Sequence, residues 1–473
     1  MSAQITKVFV VIVALFGLLL VFTTRWTVID ATKLANNPLN ARTLIDEMKI
    51  KRGEIVADNG EVLAKSVPGP QQTWNRSYPT GPLFAQAVGY SIPARGEAAG
   101  LELSASSFLR GVQTGLTSIF GQLTPTRVGD DVHTTLDPKA QQAAAQALGG
   151  RPGSVVALDP RTGAVLVMYS NPSYNNNNPE KPGPGESLFN RATQAEYAPG
   201  STFKVVTAAA ALDTGLYTPN STINGNSPLT VSGVPLQNDG NQSWGPQTLT
   251  TAMTYSINTI FAQVAEHVGR NTMADYMKRF GFYSKPPLDY PPAQLRSSNV
   301  FSYTGKLLPP ASPDWDVGRI GIGEGGVTVT PLQMAMVAAA VANGGRLMTP
   351  HLVDRVVNSD GVTVQTISPS VYGQVMKPST ARELTDMMTK VVEEGTGTGV
   401  QLGGISVAGK TGTASIGRPG SNLTQPSFMA FAPAQHPTVA IDVFVDESQG
   451  GFGGTVAAPI AKAVLQTLLA EGK

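Results

Sequence analysis

The sequence predicts a mixed α/β (α+β) fold, in which an α/β sandwich follows a single membrane-spanning helix. Apolar strands are expected at 154–168 and again at 428–445, with long helical segments between them and a closing helix from about 456 to 469. Strands at both ends of such a segment suggest one sheet that joins the two ends. A continuous apolar run near the N-terminus is the third observation, because it has the length of a membrane span.

Length, composition and charge exclude several classes of protein. The chain has 473 residues, enough for about three domains at roughly 150 residues each. Its 34 Lys and Arg residues against 33 Asp and Glu residues leave a net charge of +1, so no overall field attracts nucleic acid. It has no cysteine and only four scattered histidines, so neither disulfide bonds nor a metal centre is expected.

The apolar run at 8–22, which extends to 5–24 with its weakly polar flanks, is expected to span a membrane once. About 20 helical residues rise about 30 Å, the thickness of the hydrocarbon core of a bilayer. Lys7 precedes the run, and Arg25 and Trp26 follow it, as suits a membrane interface. The alternatives are a cleaved signal peptide, for which no small-x-small site follows the run, and a buried hydrophobic helix.

Two β-hairpins are predicted in the remainder of the chain. The pair Asn59-Gly60 supplies the positive φ of a tight turn between two short apolar segments. Segments 154–158 and 164–168 flank a turn that contains proline and glycine, which favours a second hairpin. A new domain is therefore expected to begin near residue 151.

These features divide the chain into four parts. They are a short cytoplasmic tail (1–6), a transmembrane anchor (7–25), a membrane-proximal α+β pedestal (26–150) and the main domain (151–473). Because only a few residues precede the anchor, the main domain is expected on the extracytoplasmic side of a cell membrane.

A serine and a lysine are spaced S-x-x-K at the start of a predicted helix. Ser201 and Lys204 precede the Ala-rich segment 205–212, which is apolar on nearly all sides and must therefore be buried. Residues three apart lie on the same helical face, so hydroxyl and amine are expected to touch. An amine made neutral by burial can activate a serine nucleophile. The structural alternatives are a helix cap for the serine and a surface lysine.

A second polar pair, S-x-N, consists of Ser256 and Asn258. Both are expected within one helix running from about 249 to 267. The pattern carries no information alone, and a surface polar pair is its ordinary explanation.

A third element, K-T-G-T, follows strand-like residues near the C-terminal end of the sequence. It comprises Lys410, Thr411, Gly412 and Thr413, and so combines a cation, two hydroxyls and a small residue beside which a substrate backbone can lie. The segment 404–411 also fits the phosphate-binding pattern G-x-x-x-x-G-K-[ST]. That pattern requires a helix directly after the lysine, and the glycine- and proline-containing residues that follow do not predict one. A nucleotide partner is therefore not expected.

The order and spacing of the three elements are those of the penicillin-binding proteins and serine β-lactamases, with about 55 residues between the first and second and about 150 between the second and third. Nearly everything after residue 50 resembles the class B penicillin-binding proteins, and in particular their short anchored type. Supporting segments include Lys51-Arg52-Gly53-Glu54-Ile55, Gly100-Leu101-Glu102, Asn190-Arg191-Ala192 and Thr330-Pro331-Leu332-Gln333. Two departures are Glu324, where glutamine is expected, and S-I-N in place of the S-D-N of class A β-lactamases.

The resemblance implies a transpeptidase fold, with an antiparallel sheet between helices, and a pedestal of the dimerisation-domain kind. It implies peptidoglycan D,D-transpeptidation through a serine ester, with the D-alanyl-D-alanine end of a stem peptide as substrate. Ser201 would be the nucleophile and Lys204 the base. Ser256 would relay a proton to the leaving amine, while Lys410 would keep Lys204 neutral and help attract the substrate carboxylate.

The resemblance also assigns substrate-binding roles. Asn258 would bond to the peptide, the hydroxyls of Thr411 and Thr413 would bind the carboxylate, and Gly412 would leave room for the substrate backbone. The backbone N–H groups of Ser201 and Thr413 would form the oxyanion hole.

The resemblance implies covalent binding of β-lactams, no metal or cofactor, and partners among cell-wall synthases or divisome proteins. Two alternatives stay open at this point. Hydrolysis of the same ester would make the protein a D,D-carboxypeptidase, and a non-catalytic scaffold or sensor could retain the fold.

Overall fold

The structure, a computed structural model, describes residues 3–30, 41–111, 128–416 and 421–473. Its α-helices are α1 (Ala3–Thr24), α2 (Ala41–Met48), α3 (Ala85–Val88), α4 (Gly100–Ser104), α5 (Ser106–Leu109), α6 (Pro138–Leu148), α7 (Arg191–Gln194), α8 (Lys204–Asp213), α9 (Leu249–Thr254), α10 (Asn258–Val268), α11 (Arg270–Arg279), α12 (Val317–Gly321), α13 (Pro331–Ala342), α14 (Pro378–Glu393) and α15 (Ala458–Ala470).

The strands are β1 (Ile55–Val56), β2 (Val62–Pro68), β3 (Trp74–Ser77), β4 (Ser91–Ile92), β5 (Glu97–Ala98), β6 (Asp131–Thr134), β7 (Gly153–Leu158), β8 (Val165–Asn171), β9 (Thr222–Asn224), β10 (Leu229–Val231), β11 (Val234–Leu236), β12 (Pro246–Thr248), β13 (Asn299–Phe301), β14 (Leu307–Leu308), β15 (Val327–Thr328), β16 (Arg346–Met348), β17 (Val353–Val357), β18 (Thr363–Thr366), β19 (Val371–Gln374), β20 (Ala408–Ile416), β21 (Leu423–Ala432), β22 (Val439–Val445) and β23 (Ser448–Gln449).

Helix α1 continues into a π-helical turn, Arg25–Ile29, and together they form one apolar segment at the N-terminus. The most apolar 18-residue window of this segment has a mean hydropathy of 2.8, and no residue of 3–29 is buried against the rest of the protein. The helical segment 453–470 is also long and apolar enough to cross a membrane, but its residues pack on the main sheet as part of the core. Among the described residues, helix α1 is therefore the candidate for a membrane anchor.

The N-terminal unit is built on a six-stranded sheet with the order β18-β17-β6-β1-β2-β3. Strands β1 and β2 pair antiparallel, which confirms the first predicted hairpin. Strands β17 and β18 reach this sheet from residues 353–366, and β17 pairs with β6. The sheet thus contains strands from both sides of the division expected near residue 150.

A buried ion triad connects three segments of the N-terminal unit. Glu102, at the start of α4, is fully buried and accepts hydrogen bonds from the guanidinium groups of Arg52 and Arg76. Burial alone would raise the pKa of Glu102, but the two arginines overcome it and hold the pKa below its ordinary value. The carboxylate is therefore charged and paired within the core of this unit.

The main sheet has the order β20-β21-β22-β7-β8, and every neighbouring pair is antiparallel. Pairing of β7 with β8 confirms the second predicted hairpin. Pairing of β7 with β22, in which Val156 faces Asp442, joins the beginning and the end of the main domain as the sequence predicts.

Helices cover both faces of this sheet because successive side chains along each strand point to opposite faces. On one face, Val155 and Ile441 pack in a cluster with residues of α6 and α15. On the other, Val156 and Ala440 belong to a larger cluster that contains residues of α8, α10 and α13. The predicted fold class, an antiparallel sheet between two helical layers, is confirmed.

Candidate active site

Ser201 lies in a 3₁₀ turn, Gly200–Phe203, that leads directly into the buried helix α8. Gly200 has a φ of +51°, and its amide donates a 3.1 Å hydrogen bond to the carbonyl of Gly323, which fixes the turn. The half-buried Ser201 lines a cavity of about 300 Å³. No hydrogen bond joins its hydroxyl to Lys204 or to another group among the described residues, so the predicted direct contact is not formed.

The Lys204 amine is fully buried and surrounded by oxygen atoms. Its Nζ lies 2.7 Å from the Ser256 carbonyl oxygen, 2.6 Å from Oδ1 of Asn258 and 3.1 Å from Oγ of Ser256. Burial lowers the pKa of Lys204 from 10.5 to about 7, against the opposing effect of the carboxylates of Asp239 and Glu324. A substantial fraction of this amine is consequently neutral near pH 7.

Ser256 corrects one prediction from the sequence. The segment 249–267 is not one helix but two, α9 and α10, and Ser256 lies between them with a φ of +60°. Apolar periodicity continues across the break and therefore does not reveal it. The reason for the break is visible in the hydrogen bonds: inside a continuous helix the Ser256 carbonyl would accept from an amide four residues later, whereas here it accepts from the Lys204 amine.

Lys410 approaches Ser256 from the opposite side. It lies on β20, is fully buried, and its Nζ donates to Oγ of Ser256 at 2.9 Å and to the carbonyl of Thr411 at 3.0 Å. Burial, and then the charge of Lys204, lower the pKa of Lys410 well below its ordinary value. Burial is the largest cause of the lowered pKa of Lys204. The role of Lys410 in keeping that amine neutral stays a prediction.

Strand β20 forms the edge of the main sheet and passes beside the Ser201 turn. A side chain at Gly412 would place its Cβ 2.2 Å from Oγ of Ser427 and 2.7 Å from the carbonyl oxygen of Pro199, so glycine is required there. The free edge of such a strand can pair with an extended peptide. The glycine of the K-T-G-T element therefore allows the strand and the serine turn to approach closely.

The two threonines of K-T-G-T line the same cavity as Ser201. The Thr411 hydroxyl is 2.6 Å from the hydroxyl of Thr396, and the Thr413 hydroxyl accepts a 3.1 Å hydrogen bond from the Gly453 amide. Both oxygens are held in place at the cavity wall by these neighbours.

Of the predicted residues, Ser201, Ser256, Asn258, Thr411 and Thr413 all line this cavity. Lys204 and Lys410 lie behind the cavity wall in the protein interior, and both amines contact the hydroxyl of Ser256, which lines the cavity. The three elements that are far apart in the sequence are thus brought together at one place.

The cavity also has walls that no sequence motif indicated. Asp239 and Thr396 contribute polar groups, Phe452 contributes a ring that is 54% exposed, and Glu324 had been noted only as a departure from a family pattern. No spacing rule would have found Asp239 or Thr396, because tertiary packing alone places them beside Ser201.

Comparison with known families gives two matches. The family described as penicillin binding protein transpeptidase domain matches residues 153–466, and the family described as penicillin binding protein A dimerisation domain matches residues 52–127.

Similar proteins span the whole chain. The peptidoglycan D,D-transpeptidase PbpA of Mycolicibacterium smegmatis is 35% identical over 100% of both chains, and its namesake in Mycobacterium tuberculosis is 34% identical over 99% of both. Among solved structures, penicillin-binding protein A from M. tuberculosis as a ceftriaxone acyl-enzyme complex superimposes with a TM-score of 0.79, 32% identity and coverage of 90% of this chain and 100% of that chain. The imipenem acyl-enzyme complex of the same protein gives a TM-score of 0.78, with 32% identity over 90% of this chain and 99% of that chain.

Proposed function

Because this chain belongs to the penicillin-binding protein transpeptidase family, we propose that it is a peptidoglycan D,D-transpeptidase that works through an ester on Ser201. The observation that carries the proposal is the arrangement around Ser256, whose hydroxyl joins two buried lysine amines at the wall of the Ser201 cavity. A serine is a weak nucleophile until a base removes its proton, and a neutral amine can do so.

In the first half of the reaction, Ser201 Oγ attacks the penultimate carbonyl of a D-alanyl-D-alanine terminus. Lys204 takes the serine proton, since burial keeps much of its amine neutral near pH 7. The new C–O bond forms as the C–N bond to the terminal D-alanine breaks. Ser256 supplies a proton to the departing nitrogen and regains one from Lys204, 3.1 Å away.

The developing negative charge on the carbonyl oxygen requires hydrogen-bond donors. The backbone N–H groups of Ser201 and Thr413 are the candidates, and the loss of one such donor typically costs about 3 to 4 kcal/mol of transition-state stabilisation. The closeness of β20 to the serine turn, which Gly412 permits, supports this pairing of donors.

The remaining polar groups bind the substrate. Asn258 Nδ2 donates to the carbonyl of Gln237 at 3.2 Å and its Oδ1 accepts from Lys204, so its side chain is fixed at the edge of the cavity facing the peptide. The hydroxyls of Thr411 and Thr413 bind the terminal carboxylate. Lys410 is too deeply buried to line the cavity, and acts on the substrate through Ser256 and the local field.

In the second half, an amine from a neighbouring stem peptide attacks the ester. The N–C bond forms, the bond to Ser201 Oγ breaks, and the proton lost by nitrogen returns to that oxygen through Lys204. A β-lactam enters the first half in place of the stem peptide. Its opened ring stays attached, so it leaves a stable acyl-enzyme of the kind found in relatives of this chain.

Incubation of the full-length protein with a synthetic stem pentapeptide tests transpeptidation. Mass spectrometry should detect a cross-linked dimer and one released D-alanine per cross-link. Formation of the shortened monomer alone would instead make the protein a carboxypeptidase.

We further propose that the catalytic domain is extracytoplasmic, held by α1 in the cell membrane, because its peptidoglycan substrate lies outside that membrane. The N-terminal unit, which matches a dimerisation-domain family, would set the site away from the bilayer and contact cell-wall synthase or divisome proteins. Protease added to intact spheroplasts should remove the ectodomain. Recovery of a soluble protein that begins after residue 22 would contradict the anchor.

A further inference from the structure

A second cavity, of about 580 Å³, adjoins the Ser201 cavity. Glu324 lines both of them, and so forms part of the wall between the two. Its side chain is about half exposed and has only a long contact, 3.7 Å, with the guanidinium of Arg319. The carboxylate therefore has capacity for another cationic partner.

The second cavity is acidic. Asp314, Asp316 and Glu324 line it together with a single cationic side chain, Arg319. The Arg319 guanidinium is already committed to Asp316 at 3.3 Å, to Glu324, and to the backbone carbonyl of Pro235 at 3.2 Å. Asp314 is exposed and pairs with no cation in the part of the chain that the structure describes. A positively charged ligand would consequently be attracted to this cavity.

Its walls also provide apolar surface. Trp315 is only 5% exposed, so its ring packs behind the wall. Tyr303 is 89% exposed and Val234 is 55% exposed at the same cavity. The tyrosine and valine suit an aliphatic stem.

We propose that this second cavity is the acceptor pocket of the enzyme, and that Glu324 holds the amine of the incoming stem peptide at the boundary with the Ser201 cavity. The ligand class is a peptide that carries a primary amine on an alkyl side chain. The amine fits the carboxylates, and its alkyl stem fits Tyr303 and Val234. This inference rests on the proposed transpeptidation and specifies the second substrate of the same site.

The acceptor arrives as an ammonium ion and releases one proton to solvent. The neutral amine still donates an N–H to Glu324, which directs its lone pair toward the ester on Ser201. The N–C bond then forms, the C–O bond to Ser201 breaks, and the second proton from nitrogen ends on the serine oxygen. A glutamate recruits the acceptor better than the glutamine expected at position 324, because its charge attracts the ammonium form that predominates in water.

The test measures how the acyl-enzyme divides between an amine and water. Full-length protein in detergent is given N-benzoyl-D-alanyl thioglycolate as donor, with either Nα-acetyl-L-lysinamide, which is cationic near neutral pH, or hydroxylamine, which is uncharged there. The ratio of amide to hydrolysis product is measured by mass spectrometry. The variants are Glu324→Gln, Asp314→Asn and a matched control, Glu61→Gln, at an exposed carboxylate of the N-terminal unit.

We expect Glu324→Gln to lower the ratio for the lysinamide acceptor about tenfold, equivalent to about 1.4 kcal/mol, and to leave the ratio for hydroxylamine unchanged. Asp314→Asn should lower the lysinamide ratio about threefold, as for a more distant charge. Glu61→Gln should alter neither ratio.

An unchanged lysinamide ratio in both cavity variants, or an equal fall with both acceptors, would overturn the acceptor pocket. If the unmodified protein formed no adduct with benzylpenicillin and released nothing from the donor, the proposed transpeptidation itself would fail, and this inference with it.

Discussion

The amine of Lys410 donates a 2.9 Å hydrogen bond to the hydroxyl of Ser256, and the other side of that hydroxyl faces the amine of Lys204 at 3.1 Å. Two ammonium groups would repel each other across a single oxygen atom in a buried site. At least one amine must therefore be neutral, as the lowered pKa of each indicates. The site is arranged to keep a base beside a serine without a histidine.

Lys204→Arg should slow acylation by a β-lactam by roughly 10²–10⁴, the usual contribution of general base catalysis. Arginine keeps the charge and reach of lysine but does not release its proton at usable pH. Lys390→Arg, on the exposed face of α14, is the matched control and should acylate normally. The second-order rate constant of acylation shows whether Lys204 acts as a base or only as a positive charge. Circular dichroism confirms that each variant folds. A Lys204→Arg protein that acylates normally would mean that the base lies elsewhere.

The acylation rate of the unmodified protein should rise with pH through about 7 and then level off, because only neutral Lys204 accepts the serine proton. The carboxylate of Asp239 raises the pKa of Lys204, so Asp239→Asn should move the rising limb to lower pH. Stopped-flow acylation with a chromogenic cephalosporin across the pH range measures the profile of the unmodified protein and its shift in Asp239→Asn. A limb that does not move, or moves to higher pH, would contradict the assignment of Lys204 as the base.

Asp442 is expected to destabilise the folded protein. It is fully buried in β22, neither carboxylate oxygen has a hydrogen-bond partner among the described residues, and burial raises its pKa well above the ordinary value. Asp442→Val should therefore stabilise the protein by about 1–3 kcal/mol in urea unfolding, since it removes an unsatisfied buried polar group. Asp442→Asn, which retains a polar group, should stabilise the protein less than Asp442→Val does. A less stable valine variant would show that the carboxylate has a partner.

The same residue makes stability depend on pH. The folded protein keeps the Asp442 proton, whereas the unfolded chain loses it above about pH 3.9. Stability should accordingly fall as pH rises from there toward the raised pKa, and Asp442→Val should reduce that slope.

Glu102→Gln should destabilise the N-terminal unit by about 3–5 kcal/mol, because it leaves Arg52 and Arg76 buried without their shared counter-charge. The lowered pKa of Glu102 means that its contribution is present above the ordinary glutamate pKa and is lost as pH falls through the folded value. Urea unfolding measures the change, and Glu97→Gln at an exposed position is the matched control. Equal stability of the two variants would show that the triad contributes nothing.

Features that depend on neighbouring residues could be predicted from the sequence. The hairpin at Asn59-Gly60 follows from local turn chemistry, and the strands near 154 and 439 follow from apolar runs. Their pairing into one sheet was also predicted, because strands at both ends of a domain need each other as partners. The resemblance to a family with the same three spaced motifs predicted that Ser201, Ser256 and Lys410 belong to one active site.

Features that depend on tertiary contacts could not be predicted. The break at Ser256 is stabilised by an amine 52 residues away along the chain, so the apolar pattern of 249–267 passes over it. Arg52 and Glu102 appeared only as parts of separate motifs, and their ion pair forms when the N-terminal unit folds. Asp239 and Thr396 belong to no motif and reach the cavity through the packing of their segments.

The most direct test of the central claim is the intact mass of the full-length protein after exposure to benzylpenicillin. One covalent adduct is predicted, mapped to the peptide that contains Ser201, and absent from Ser201→Ala. That variant should still fold, because the Ser201 hydroxyl makes no hydrogen bond to any other described residue. An adduct mapped to Ser256, or no adduct on the unmodified protein, would contradict Ser201 as the nucleophile.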